Sequence, residues 1–385
     1  MNKIIIAIYG FMWVLFCVLT YLFVDPNIPY LSFLYSGFYS TNRIIVTILF
    51  ALIICIQFFI YTYFIHSKID RYHLKVIAII SIGFLLLSYP AMLSADIFNY
   101  ITNAKLLSHY GENPYIVMPI EIIGEPYLSF THFANTTTIY GPIWTALSGL
   151  TYLLGFNTFI GHILAFKLIS ALSLILIASI IWVITRSIKN VLFFVLNPLV
   201  LIELVASGHN DGVMMGFALL SFLLIQKKRY LLAGLSIFLS IGIKYATIVL
   251  LPIILYAIVQ SIRGKKVAYT RLYFLSFLSM FVVFGLSFLR VEIYPWYAIW
   301  ILSFASLLPW NRLVHCALIA LSLGLLLRYI PFMLTGSHIG ISPLLRSILL
   351  ISPFIIWFIY GILVRTITVR SIREAFGSML ELKHK

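Results

Sequence analysis

The chain has 385 residues, of which 62% are hydrophobic and 10% charged, with a net charge of +15. Soluble domains carry about 25% charged residues, so this composition excludes a water-soluble globular protein. It also excludes a membrane β-barrel, because the apolar runs are continuous over about 18 residues or more rather than alternating.

The first apolar run, 4–24, has no small-residue cleavage site before Asp25 and is expected to be an uncleaved first span. A second span is predicted over 43–66. The loop from His66 to Lys75 sets Lys68, Arg71 and Lys75 against Asp70, which predicts a cytoplasmic position. A third span, 76–93, then delivers Ser94, Ala95 and Asp96 to the outer face.

Residues 94–141 form the longest polar stretch, expected to be a large extracytoplasmic loop with a functional role. From Asp96 to His109 the spacing of Ile97, Tyr100, Ile101, Ala104 and Leu107 predicts an interfacial helix, stopped by Asn113-Pro114-Tyr115. Segment 142–155 is short and opens on Gly141-Pro142, which predicts a re-entrant or surface helix. The remainder reads as hairpins. Basic inner loops lie at Arg186/Lys189, Lys227–Arg229, Arg263–Lys266, Arg312 and the tail 365–385, and outer turns lie at 207–211, 244–247, 290–296 and 328–342. In these loops the positive charge sets topology, so no nucleic-acid partner is expected.

The sum is an all-α polytopic membrane protein of about twelve transmembrane helices. It is expected to be one domain, 1–385, multi-pass in the plasma membrane, with both termini cytoplasmic. Short helices over 190–262 are expected to act as half-helices around a cavity. Cys17, Cys55 and Cys316 sit inside apolar runs without metal-ligand spacing.

The unusual polar residues gather on the predicted outer face, as they would around a wet cavity. Asp96 suits either a helix cap or a general base. Gly208-His209-Asn210-Asp211-Gly212 suits a turn or a ligand site. Lys244, Arg290 and Arg328 suit snorkelling cations or a phosphate clamp, and Glu203, inside an apolar run, is expected to pair with one of them. Tyr294-Pro295-Trp296-Tyr297 suits an interfacial aromatic belt or a platform for sugar or lipid.

Four segments together resemble a known family. Pro90-Ala91-Met92-Leu93-Ser94-Ala95-Asp96-Ile97-Phe98-Asn99-Tyr100 with Gly111-Glu112-Asn113-Pro114-Tyr115 is similar to the first outer loop of bacterial and archaeal polyprenyl-phosphate-mannose-dependent mannosyltransferases of the GT-C superfamily. Tyr140-Gly141-Pro142, then Asn197-Pro198-Leu199 through Glu203 to Gly208-His209-Asn210-Asp211, then Pro295-Trp296-Tyr297, follow in the family's order over about residues 88–300. Many relatives carry a second acidic residue or Arg-Asp at the first motif. Here it is Ala95-Asp96, which concentrates the base role on Asp96.

The resemblance implies a GT-C-like helical bundle that transfers a hexose, usually mannose, from a polyprenyl-phosphate donor by inverting displacement. The acceptor hydroxyl would belong to a glycan, glycolipid or protein outside the cytoplasm. It implies Asp96 as catalytic base. Asn99, Tyr100, Asn113, Tyr140, Glu203, His209, Asn210, Asp211, Lys244, Arg290, Trp296, Tyr297 and Arg328 are implied as substrate-binding residues. No metal ligand or cofactor is assigned, and a divalent metal stays open. A secondary transporter and a non-catalytic lipid-linked-sugar binder or flippase are the alternative classes.

Overall fold

The computed structural model describes residues 3–289, 292–364 and 367–368. Among them every regular element is helical. Helices α1 (Lys3–Tyr21), α2 (Phe38–Thr41), α3 (Arg43–His66) and α4 (Arg71–Leu87) precede the polar stretch, which lies between α5 (Asp96–Ser108) and α6 (Pro142–Leu153). There follow α7 (Phe159–Thr185), α8 (Ile188–Val195), α9 (Pro198–Leu201), α10 (Asp211–Gln226), α11 (Tyr230–Ile243) and α12 (Leu251–Ile262). The last five are α13 (Tyr269–Leu286), α14 (Ala298–Ala305), α15 (Arg312–Leu327), α16 (Ile330–Thr335) and α17 (Ser342–Leu363).

Seven helical segments among the described residues are long and apolar enough to cross a membrane, and an eighth if one bent pair counts as a span. The chain is therefore an all-helical polytopic membrane protein. The expected count of about twelve is not reached by this measure. That count included α4, α10, α11 and the segment Pro295–Ala305; α4 has 17 residues, and α10 and α11, expected as short half-helices, have 16 and 14, below the roughly 20 that a bilayer core requires.

The bent pair explains how polar residues enter an apolar region. Pro198 cannot donate to the ladder of α8, and Asn197 Oδ1 instead caps α9 by accepting from the Leu199 amide at 3.0 Å. The two halves meet at 54°. Beyond α9 the ladder widens into a π-helical turn, Ile202–Ala206, closed by the Ser207 amide on the Ile202 carbonyl at 2.8 Å. Such turns often mark functional sites, and this one carries Glu203.

Helix α5 starts at Asp96 as expected but ends at Ser108, a full turn before Asn113-Pro114. It packs on α6 and α7. The start of α6 is docked on the end of α11: the Gly141 amide donates to the Ile243 carbonyl at 3.1 Å. A Cβ at Gly141 would lie 2.2 Å from the Gly242 carbonyl oxygen, so only glycine permits this approach. Gly141→Ala is expected to push α6 off α11 at a cost of about 1–3 kcal/mol. A thermal-unfolding scan in detergent, compared with wild type, measures it.

Candidate active site

Asp96 stands at the first turn of α5, but it does not cap it. The N-cap is Ala95, and the carboxylate makes no capping bond. The cap reading of this residue is thereby corrected, and its side chain is left available. It keeps 19% of its surface exposed, whereas His209 and Glu203 beside it are wholly buried.

His209 Nδ1 lies 3.7 Å from Asp96 Oδ2, and His209 Nε2 lies 3.2 Å from Glu203 Oε2. These distances fall in ion-pair range. Even so, both ring nitrogens and Glu203 Oε2 lack hydrogen-bonding geometry to any protein partner, as does the Asn210 amide nitrogen. Buried polar atoms rarely go unpaired without a reason. Here three of them form a row that ends, at His209 Nδ1, on one partly accessible carboxylate. The His209 ring is held flat against Trp296, with centroids 4.1 Å apart, and Trp296 in turn stacks on Tyr294 at 4.5 Å.

The turn carrying His209 is built for this position. Gly208 has φ of 76°, the left-handed region that favours glycine. The His209 amide donates to the Glu203 carbonyl at 3.1 Å, which ties the turn to the π-helical element. Asp211 opens α10 and is fully buried. Its Oδ2 accepts from Lys244 Nζ at 2.7 Å and its Oδ1 from Trp300 Nε1 at 2.6 Å. Tyr100 donates to Asn210 Oδ1 at 3.5 Å, and its ring meets those of Tyr140 and Trp144 edge to face. The stretch that reads as a turn is thus also a cluster of converging side chains.

Electrostatics follow from this packing. Burial raises the Asp96 carboxyl to about 6; Lys244 pulls against that rise and Asp211 adds to it. Burial, with Lys244 close by, holds His209 well below the ordinary histidine range, so its imidazole is neutral.

Other expected residues fall elsewhere. Among the described residues Glu203 meets no lysine or arginine; its partners are Tyr329, whose hydroxyl donates to Oε1 at 3.0 Å, and His209. Its expected pairing with Lys244 or Arg328 is corrected, because Lys244 is taken by Asp211 and Arg328 by Glu292 at 2.5 Å. Arg290 lies outside the described residues. Asn113 is exposed, and its Oδ1 accepts from the Tyr115 amide. Asn99 is buried, its Oδ1 accepting from the Phe133 amide at 3.4 Å. Tyr297 stacks on Trp300 at 4.3 Å, with Lys244 Nζ 5.8 Å from its ring. No cluster of three metal-ligating residues occurs among the described residues.

Several contributors escape a reading of the sequence. Trp300 and Tyr329 look like ordinary apolar-helix residues, and nothing in their spacing marks them. Arg346 shares Glu292 with Arg328, at 2.9 Å, and is mostly buried. Lys167, fully buried within α7, donates to the Ser88 carbonyl at 2.5 Å and braces the segment that leads to Asp96. A charge alone in a long apolar run was the available signal for Lys167.

Next to Glu292, Ile293 lines an apolar cavity of about 700 Å³ between α13, α15 and α17, with Phe277, Phe281, Leu318, Phe354 and Trp357 among its walls. The Arg328–Glu292–Arg346 group therefore adjoins a space suited to hydrocarbon.

A family model described as alpha-(1->6)-mannopyranosyltransferase, N-terminal domain, matches residues 9–260. Alpha-(1->6)-mannopyranosyltransferase A of Corynebacterium glutamicum is 26% identical over 175 residues, 43% of this chain and 35% of that protein. The protein of the same name from Mycobacterium tuberculosis is 25% identical over 214 residues, 52% of this chain and 40% of that one. The matched region thus spans well under half the length of either relative. No solved structure matches the chain. The family match covers every element from the first span through α11 and includes Asp96, Glu203 and His209, and on that match the chain belongs to the alpha-(1->6)-mannopyranosyltransferase family.

Proposed function

We propose that the protein transfers a mannosyl group from a polyprenyl-phosphate donor to an acceptor hydroxyl of a glycan or glycolipid, at the outer face of the plasma membrane. Asp96 takes the acceptor proton as that oxygen bonds to the anomeric carbon. The bond from that carbon to the phosphate oxygen breaks on the opposite side, and its electron pair leaves with the lipid phosphate. The result is inversion. The observation that carries this reading is Asp96 itself: a partly accessible carboxylate that caps no helix and faces the buried, unpaired His209 Nδ1 at 3.7 Å.

Two features support the donor class, and the names of the relatives support the sugar and the linkage. The apolar cavity is suited to a prenyl chain. Arg328 and Arg346 beside it offer guanidinium groups suited to phosphate oxygens. The relatives are named as mannosyltransferases, and the linkage in their names, alpha-(1->6), is the linkage proposed here. His209, Asn210 and Asp211 position Asp96 and hydrogen-bond the sugar. General-base assistance of this kind contributes about 10²–10⁴-fold.

Two outcomes are expected in lipid nanodiscs. Radiolabelled mannose is transferred from polyprenyl-phosphate mannose and not from nucleotide-linked mannose; transfer from the nucleotide donor alone would overturn the donor assignment. The rate follows the carboxylate form of Asp96, so it is at its plateau above about pH 6 and falls as pH drops through that value.

A further inference from the structure

Asp96 is accompanied by a row of buried groups in which the Tyr329–Glu203 pair is hydrogen-bonded, while the Glu203–His209 and His209–Asp96 pairs stand at ion-pair distance without hydrogen-bonding geometry. The Tyr329 hydroxyl donates to Glu203 Oε1 at 3.0 Å, Glu203 Oε2 faces His209 Nε2 at 3.2 Å, and His209 Nδ1 faces Asp96 Oδ2 at 3.7 Å. Nothing is free to slide. The π-helical turn fixes Glu203, the His209 ring lies flat on Trp296, and the Ser170 hydroxyl donates to the His209 carbonyl at 3.2 Å.

The chemistry of the row follows from its burial. Among the described residues no lysine or arginine reaches Glu203, and an unpaired charge is costly in such a place. A neutral carboxylic acid at Glu203 suits these neighbours without leaving a buried charge unpaired. It accepts from Tyr329 at Oε1 and would carry its proton on Oε2, the atom 3.2 Å from His209 Nε2. The imidazole then bears its proton on Nδ1, the atom that faces Asp96.

Resting on the reading of Asp96 as base, we infer that Tyr329, Glu203 and His209 are positioning residues: a chain of neutral groups in which Glu203, as a carboxylic acid, fixes the histidine tautomer that turns its Nδ1–H toward the Asp96 carboxylate and aims it. The chain transfers no proton during the reaction. It orients the base and strengthens its charged form relative to the protonated one.

Other groups act on the same carboxylate. Lys244 at the end of α11 and Asp211 of α10 influence it directly, and Asp96 in turn acts on Tyr100 of α5, Tyr140 before α6, and Tyr294 and Tyr329. A pH profile therefore has to be read against variants that leave these groups in place. Glu203→Gln and Glu203→Leu do so.

Glutamine mimics the neutral acid, with an amide that donates to Nε2 and a carbonyl that accepts from Tyr329. The test is kcat, KM and their pH dependence in nanodiscs, for protein that elutes as a single species on size exclusion. Glu203→Gln is expected to stay within about threefold of wild type with an unmoved acid limb, while Glu203→Leu loses about tenfold or more in kcat with little change in KM. In Glu203→Leu the acid limb moves to higher pH, because Asp96 loses a donor to its charged form. Should Glu203→Leu not fold, Tyr329→Phe is expected to lower kcat and move the limb in the same direction. The inference is overturned if Glu203→Gln is as slow as Glu203→Leu, or if Glu203→Leu or Tyr329→Phe keeps the wild-type kcat and profile. Asp96→Asn in the same assay separates the two levels. Normal turnover there removes the base reading; an inactive Asp96→Asn with an equally damaged Glu203→Gln removes only the chain.

Discussion

Asp96→Asn is expected to lower kcat by about 10²–10⁴-fold while the protein remains folded. Asparagine has the shape of the carboxylate and can accept the same hydrogen bond, but it cannot take the acceptor proton. The expected loss is thus chemical rather than structural. The stability argument points the same way. Burial raises the folded carboxyl to about 6, above the roughly 3.9 of an unfolded chain. The stability linked to its protonated form is present below the unfolded value and is lost as pH rises through about 6. At neutral pH the ionised side chain therefore weighs against folding, and Asn should unfold at an equal or higher temperature. Activity lost together with thermal stability kept or gained is the pattern of a group retained for function. Transfer rates and unfolding scans on the same preparation measure both.

The second large effect is expected at Asp211. Its carboxylate binds both Lys244 and the Trp300 indole, with no exposed surface of its own. Removing one member of a buried charge pair typically costs about 3–5 kcal/mol, because the other is left uncompensated. Asp211→Ala should therefore unfold at a markedly lower temperature, and Asp211→Ala with Lys244→Met should recover part of the loss. The site feels the change as well. Asp211 raises the Asp96 carboxyl and Lys244 lowers it, so without Asp211 the acid limb of the rate profile should move below pH 6. A stability loss with no movement of that limb would mean that the pair is purely structural.

The motif around Asp96 could be read from the sequence because a carboxylate after a long apolar run, ahead of a helical pattern, is unusual in itself. The helix starting at Asp96 and the spans 43–66 and 4–24 were legible for the same reason: hydrophobic periodicity and length are local properties. Spacing left a cap and a base both open at Asp96, because it shows which residue types could cap, while the actual cap depends on backbone angles at Ala95. The total of about twelve exceeds the seven or eight long apolar helices among the described residues because α4, α10, α11 and Pro295–Ala305 are apolar but short.

The site's interior was only partly legible. His209 and Asp211 stood out as polar residues in apolar sequence, but their roles differ for a reason that sequence spacing cannot carry. Asp211 faces Lys244 and Trp300, 33 and 89 residues away, and is saturated. His209, two positions earlier, faces Asp96 and Glu203 and is not. Glu203 was visible as an intruder in an apolar run, yet its partner Tyr329 is 126 residues distant. Such pairings are made by the packing of α9, past the bend at Pro198, against α15, and no local pattern announces them.

The central claim is direct displacement by Asp96-assisted attack on a lipid-linked mannose, and the anomeric configuration of a single-turnover product tests it most directly. With β-linked polyprenyl-phosphate mannose and excess purified protein in nanodiscs, the product's anomeric signals by NMR are expected to show an α-mannoside attached to the acceptor. A β-mannoside, or donor that stays intact through the incubation, would contradict the account.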